Sequence, residues 1–206
     1  MAYNPKDYFF HKAKKENYVA RSVFKLQEID QRYRIIRPSM KVLDLGAAPG
    51  SWSQYASEKV GSKGKVLGID IQPIKLTMQN SVFITADMRE LDLAKTMSDN
   101  GIAPPFDLVL SDMAPKTTGI KLADQLRSLE LCELALETAE KYLRPGGHFV
   151  CKLFHSPEFE TLRDKIKARF EKVHSLRPES TRKESKEIFL IGTNYKPSKT
   201  AVEKKV

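Results

Sequence analysis

Two cysteines, one tryptophan and no apolar run long enough to cross a bilayer are what this 206-residue chain has to offer a redox, metal or membrane function. Cys132 and Cys151 stand in apolar stretches, away from any C-x-x-C or Cys/His spacing, so neither a disulfide framework nor a metal site is expected. The N-terminus, Met-Ala-Tyr-Asn-Pro-Lys-Asp, has no apolar core for secretion, and the early acids Asp7 and Glu16 argue against a mitochondrial transit peptide. A cytoplasmic, non-membrane protein is the expectation. No internal repeat or low-complexity block appears. The chain also lacks G-x-G-x-x-G, which a dinucleotide pyrophosphate needs, and the Gly-Lys-Ser/Thr of a P-loop.

What is present is a strand that ends in a glycine-bracketed turn and enters a helix: Lys41-Val-Leu-Asp-Leu-Gly46-Ala47-Ala48-Pro49-Gly50-Ser51-Trp52. Three later apolar runs each end in an aspartate, at Asp70, Asp87 and Asp112. In an open parallel sheet, ligands bind beyond the carboxyl ends of the strands, and acids there point at the ligand. A turn built on Gly46 and Gly50 without a phosphate cradle, followed by an aspartate able to accept from ribose hydroxyls, suits a cofactor with adenosine but no phosphate. S-adenosylmethionine is the candidate. The structural alternative is that the two glycines only permit a tight turn.

Alternation of short apolar runs with helical patterns predicts one doubly wound, Rossmann-like α/β domain spanning 1–206. Strands are expected at 41–46, 65–71, 81–86, 106–111, 146–153, 170–176 and 187–193. Helices are expected at 18–33, 52–60, briefly after Met88, at 121–143 and at 157–169. Within the long helix, Leu126, Leu129, Cys132, Leu136 and Ala139 form the expected inward face. The irregular stretch from Asp112 to Ile120 directly follows a strand end, where loops usually carry function.

The net charge of +9 is uneven. Residues 1–37 carry nine Lys/Arg against four acids, residues 38–160 thirteen against sixteen, and residues 161–206 thirteen against six. Positive ends around a slightly acidic middle are the footprint of a polyanion binder, with nucleic acid foremost. Residues 1–17 read as a polar arm with Tyr3, Tyr8, Phe9 and Phe10 among Lys12, Lys14 and Lys15, suited either to stacking on bases or to packing on its own domain. Residues 196–206 read as a flexible basic tail.

Charged residues in apolar strands narrow the chemistry. Lys152 lies in His-Phe-Val-Cys-Lys-Leu-Phe, where a buried ammonium is costly unless paired or neutral. Glu187 opens the last apolar strand and is a candidate partner. Lys25, by helical pattern alone, is a solvated lysine three residues from Glu28.

Gly46-Ala-Ala-Pro-Gly50-Ser-Trp52-Ser-Gln54, Ser111-Asp112-Met-Ala-Pro115 and the quartet Lys25, Asp112, Lys152 and Glu187 together resemble the FtsJ-type RNA 2′-O-ribose methyltransferases, over roughly residues 12–195. The segment Ala20-Arg-Ser-Val-Phe-Lys25-Leu26 is most similar to the compact bacterial members acting on large-subunit ribosomal RNA. The resemblance implies a seven-stranded, mostly parallel sheet with an antiparallel last strand, and a single chain that methylates a uridine 2′-hydroxyl within a ribosomal particle. It also implies S-adenosylmethionine on Gly50, Trp52, Asp70, Asp87 and Asp112, and a catalytic tetrad of Lys25, Asp112, Lys152 and Glu187. Ser51 stands where relatives often carry glycine, and Phe189 where tyrosine is common. Other RNAs, such as a tRNA anticodon loop or an mRNA cap, stay open, as does a non-catalytic RNA-binding module. Lys152 serves either as a neutral base or as a charged group that steers the hydroxyl.

Overall fold

The computed structural model describes residues 5–197, with side chains from Tyr8 onward; Tyr3 and the tail from 198 lie outside the described residues. The elements in chain order are α1 (Pro5–Lys15), α2 (Val23–Tyr33), β1 (Lys41–Leu45), α3 (Ser51–Val60), β2 (Lys65–Asp70), β3 (Ser81–Thr85) and α4 (Leu93–Asp99). They continue with β4 (Phe106–Ser111), α5 (Lys121–Tyr142), β5 (Leu143–Phe154), α6 (Phe159–Lys167), β6 (Phe170–Leu176) and β7 (Glu187–Tyr195). One seven-stranded sheet has the order β3-β2-β1-β4-β5-β7-β6, with β7 antiparallel to both neighbours and the other pairings parallel. The order reverses between β1 and β4, so the crevice predicted for a ligand opens beside the Gly46–Gly50 turn.

Period-two alternation splits the core. Leu43, Leu67, Val109, Phe149 and Cys151 face α4, α5 and α6, while Val42, Val66, Leu108, Leu110, Val150, Phe189 and Ile191 face α2 and α3. Both cysteines are buried free thiols, and Cys132 Sγ donates to the Lys152 carbonyl. Among the described residues, no helix is long and apolar enough to cross a membrane.

Four departures from the sequence reading have physical causes. The arm begins as a helix, α1, whose Phe9 packs on Phe24 with ring centroids 5.5 Å apart, while Phe10 stays exposed. The second helix starts at Val23 rather than Tyr18, because tertiary bonds claim the preceding segment: Tyr18 Oη donates to Glu58 at 2.7 Å and Gln54 Nε2 donates to the Asn17 carbonyl at 2.9 Å. Strand β5 starts at Leu143, ahead of the Pro-Gly-Gly run, since Leu143 already pairs with Phe106 before a register shift. Asp107 ties that region together by accepting from Lys41 N–H at 2.7 Å and Arg144 Nε at 2.6 Å. Finally, Leu126 at the start of α5 is 42% exposed instead of facing the sheet.

Candidate active site

The turn after β1 works as a tight junction. Gly46 and Gly50 have φ of +75° and +112°, values that L side chains rarely adopt, and a Cβ on Gly46 would come within 2.7 Å of Met113. A Cβ on Gly50 would collide with Leu76. Both glycines therefore let the β4 and β2 loops close against the turn. Asp70 is fixed where β2 ends: Oδ2 accepts from Ala48 N–H at 2.9 Å and Oδ1 from Gln72 N–H at 2.8 Å. A carboxylate has about four lone-pair sites. Two are taken, and the remainder are available to hydroxyl donors. Ile71, next along the chain, is 57% exposed beside it and offers an apolar face for a flat ring. An acceptor-only carboxylate beside an apolar surface fits an adenosine, and no phosphate-binding cation or G-x-G-x-x-G is needed.

Two of the other expected cofactor residues are engaged elsewhere. The Trp52 indole is 2% exposed, donates to the Ser22 carbonyl at 2.9 Å and lies 5.7 Å from the Phe189 ring, so it packs α3 on β7. Asp87 is clasped by Arg89, whose side-chain and backbone hydrogen bonds hold its carboxyl down at about 2.

The quartet converges in two ion pairs. Lys152, 7% exposed on β5, places Nζ 2.8 Å from Asp112 Oδ1 and donates to the Asp112 carbonyl at 2.7 Å. Lys25 on α2 pairs with Glu187 Oε2 at the start of β7 and lies 5.7 Å from the Phe189 ring centroid. The partners differ from the sequence reading. Glu28 does not compensate Lys25; it pairs with Arg32 at 2.8 Å and accepts from Glu179 N–H at 2.8 Å. Burial would raise the Glu187 carboxyl, but the charges of Lys25 and Lys152 and the bonds from Lys25 and Ser185 outweigh it and hold Glu187 below the ordinary glutamate value.

Three contributors went unnoticed in the sequence. Ser185 Oγ donates to Glu187 Oε1 at 2.8 Å, fixing the oxygen that Lys25 does not take. Arg177 Nη2 donates to the carbonyls of Arg182, Lys183 and Ser185 at 3.3, 3.1 and 2.8 Å, stapling the loop that carries Ser185. Asp44, at the centre of β1, is fully buried and accepts from Ser53 Oγ at 2.6 Å. Its other oxygen has no hydrogen-bond partner among the described residues. An acid within the apolar run Val-Leu-Asp-Leu carried the same signal as Lys152.

A seven-stranded sheet with this order and an antiparallel seventh strand is the class I methyltransferase fold. The sequence profile of the FtsJ-like methyltransferases matches residues 18–195, and the chain belongs to that family. It is 59% identical over 196 residues to the ribosomal RNA large subunit methyltransferase E of Bdellovibrio bacteriovorus, covering 95% of this chain and 100% of that protein. Its counterpart in Syntrophobacter fumaroxidans is 50% identical, covering 96% and 100%. A solved structure from Plasmodium falciparum, described as a ribosomal RNA methyltransferase, superposes with a TM-score of 0.76 at 28% identity, covering 88% of this chain and all of that one (100%).

Asp44 gives the site a pH signature. Burial, countered by the Ser53 hydrogen bond and reinforced by the charges of Asp112 and Asp70, pushes Asp44 up to about 7, against roughly 3.9 in an unfolded chain. The folded state then holds a proton that the unfolded state has released. Stability from this group is fullest below about pH 4, is lost as pH rises toward about 7, and is level above that. Asp44→Asn keeps an acceptor for Ser53 and removes the titration. The wild-type-minus-variant unfolding free energy, from urea titrations, should fall by roughly 1.4 kcal/mol per pH unit across that window. A difference that stays flat with pH would show that Asp44 ionises like an exposed aspartate.

Proposed function

We propose that this chain transfers a methyl group from S-adenosylmethionine to the 2′-hydroxyl of a uridine in large-subunit ribosomal RNA. The carrying observation is the convergence of Lys152–Asp112 and Lys25–Glu187 where β4 and β5 end and β7 begins. The names of the bacterial relatives, which cover nearly the whole chain, support the choice of RNA. In this reading residues 18–195 form one catalytic domain, Gly46, Gly50 and Asp70 shape and hold the adenosine side of the cofactor, and Asp112 borders the methyl. Trp52 acts through packing, and Asp87 through its pair with Arg89 at the rim.

A ribose hydroxyl is a weak nucleophile, so alignment is the larger part of the task. Bound S-adenosylmethionine supplies a methyl already activated by its sulfonium charge. Lys25, oriented by Glu187 and resting over Phe189, holds the target ribose. Lys152 donates to the Asp112 carbonyl and forms an ion pair with its carboxylate. In that state it steers the hydroxyl lone pair and stabilises negative charge developing on the oxygen. The hydroxyl proton leaves to water as the new C–O bond forms, which gives the oxygen the partial alkoxide character that Lys152 stabilises. Basic surfaces toward both ends of the chain grip the RNA backbone, and the enzyme works as a cytoplasmic monomer on a ribosomal particle.

Two variants separate the roles. Lys152→Ala should lower the methylation rate by about a hundredfold or more while leaving cofactor affinity unchanged. Asp70→Ala should weaken cofactor binding by about tenfold or more, the worth of one charge-assisted hydrogen bond. Calorimetry with the cofactor and single-turnover transfer would show both, and activity of Lys152→Ala within a few fold of wild type would remove that lysine from the reaction. The substrate is tested by incubating the enzyme and labelled S-adenosylmethionine with unmodified large ribosomal subunits, free ribosomal RNA and tRNA. Label on one uridine ribose of the large subunit is expected; label confined to tRNA would overturn the substrate.

A further inference from the structure

The first turns of α5 are built inside out. A surface helix ordinarily turns its apolar residues to the core. Here Asp124, Gln125 and Ser128 are 8%, 6% and 1% exposed, while Ile120, Leu122 and Leu126 are 66%, 60% and 42% exposed. Hydrogen bonds hold this orientation. Gln125 Nε2 donates to the His155 carbonyl at 2.7 Å, and Ser128 Oγ accepts from Phe154 N–H at 3.0 Å. The Asp124 carboxylate accepts from Thr118 N–H at 2.8 Å, Thr118 Oγ1 at 2.9 Å and Gly119 N–H at 3.2 Å. Those bonds, the Thr118 N–H foremost, hold the Asp124 carboxyl below the usual aspartate value. The helix cannot roll its leucines inward without breaking them.

A ridge of three large aliphatic residues therefore stands in solvent at the end of the loop that begins at Asp112. Its exposed charged neighbours are Lys116, Lys121 and Arg127 and, one turn beyond Leu126, the single exposed acid Glu130, while Asp124 is turned inward. An apolar ridge with a cationic rim matches a ligand with flat apolar faces on an anionic backbone, which describes an unpaired nucleic-acid strand. A second copy of this chain, net charge +9, would set cationic rim against cationic rim.

We propose that Ile120, Leu122 and Leu126 form a platform for unpaired bases beside the methylated nucleotide, with Lys116, Lys121 and Arg127 on the adjoining phosphates. This rests on the RNA methyltransferase reading and adds to it the structural state of the substrate: the RNA is single-stranded on that side of its target. The platform contributes through bases and the rim through phosphates, so the two are separable.

The test uses fluorescence anisotropy with an oligouridylate of about ten nucleotides and an abasic strand of equal length and charge. Wild type should prefer the base-bearing strand. Leu122→Gln with Leu126→Gln should bind oligouridylate roughly tenfold more weakly, bind the abasic strand as wild type does, and keep the same salt slope. Lys116→Gln with Lys121→Gln and Arg127→Gln should weaken both strands and flatten the log–log salt slope by about 0.7 per lost phosphate contact. Unchanged base preference in the leucine variant, with wild-type methylation of large-subunit RNA intact, would overturn the platform alone. A change of oligomeric state in that variant would also overturn it, marking the ridge as a self-association surface. Failure of wild type to methylate ribosomal RNA would instead overturn the parent reading.

Discussion

The site depends on the direction of β7. Because this strand enters the sheet antiparallel to β5, its first residue, Glu187, pairs with Phe154 at the carboxyl edge, and Phe189 falls opposite Lys152. Were β7 parallel, Glu187 would begin at the far edge of the sheet, away from Asp112 and Lys152. The reversal also lets the loop from Leu176 to Glu187 return along the carboxyl edge, where Arg21 Nη2 reaches the Ser180 carbonyl at 2.7 Å and the Glu179 N–H reaches Glu28. Helix α2 and the residue Arg21 before it are thus moored to the loop that leads into β7, whose first residue pairs with Lys25.

Electrostatics explain why these residues come as pairs. A buried charge that loses its partner costs about 3–5 kcal/mol, while the intact pair contributes little to stability. Under the proposed function, Lys152–Asp112 and Lys25–Glu187 are therefore a reactive geometry rather than a source of stability. Two carboxylates and two ammonium groups balance within the site. Asp44 behind them, with only a serine hydroxyl for company, is driven toward its neutral form. The sheet thus places ion-paired carboxylates at the crevice and drives the acid beneath it toward its neutral form.

Much of this was legible in the chain. Apolar runs of strand length located the inner strands, because a sheet covered on both faces needs near-continuous burial, whereas edge strand β6, Phe-Glu-Lys-Val-His-Ser-Leu, is largely polar and is spaced out by Phe170, Val173 and Leu176. Lys152 stood out because an ammonium has no place in an apolar strand without a partner. Which partner it takes was not legible, since the choice between Asp112 and Glu187 depends on register across β4, β5 and β7. For the same reason helical spacing suggested Glu28 for Lys25, while tertiary packing gave Lys25 to Glu187 and Glu28 to Arg32. Leu126 shows the complementary failure. Periodicity assigns leucines to the core, and it cannot foresee that Gln125 and Ser128 find carbonyl and amide partners at the β5 edge and turn the leucines out.

Under the proposed function the quartet works as coupled pairs, with Glu187 acting through Lys25. A double-mutant cycle on Lys25→Met and Glu187→Gln, read in single-turnover methylation of large-subunit ribosomal RNA, tests it most directly. If Glu187 acts by orienting Lys25, the double variant should be no slower than the slower single variant, and cofactor affinity should be unchanged throughout. Losses that multiply, leaving the double variant slower by the product of the two single effects, would show that the residues act separately and would contradict the account.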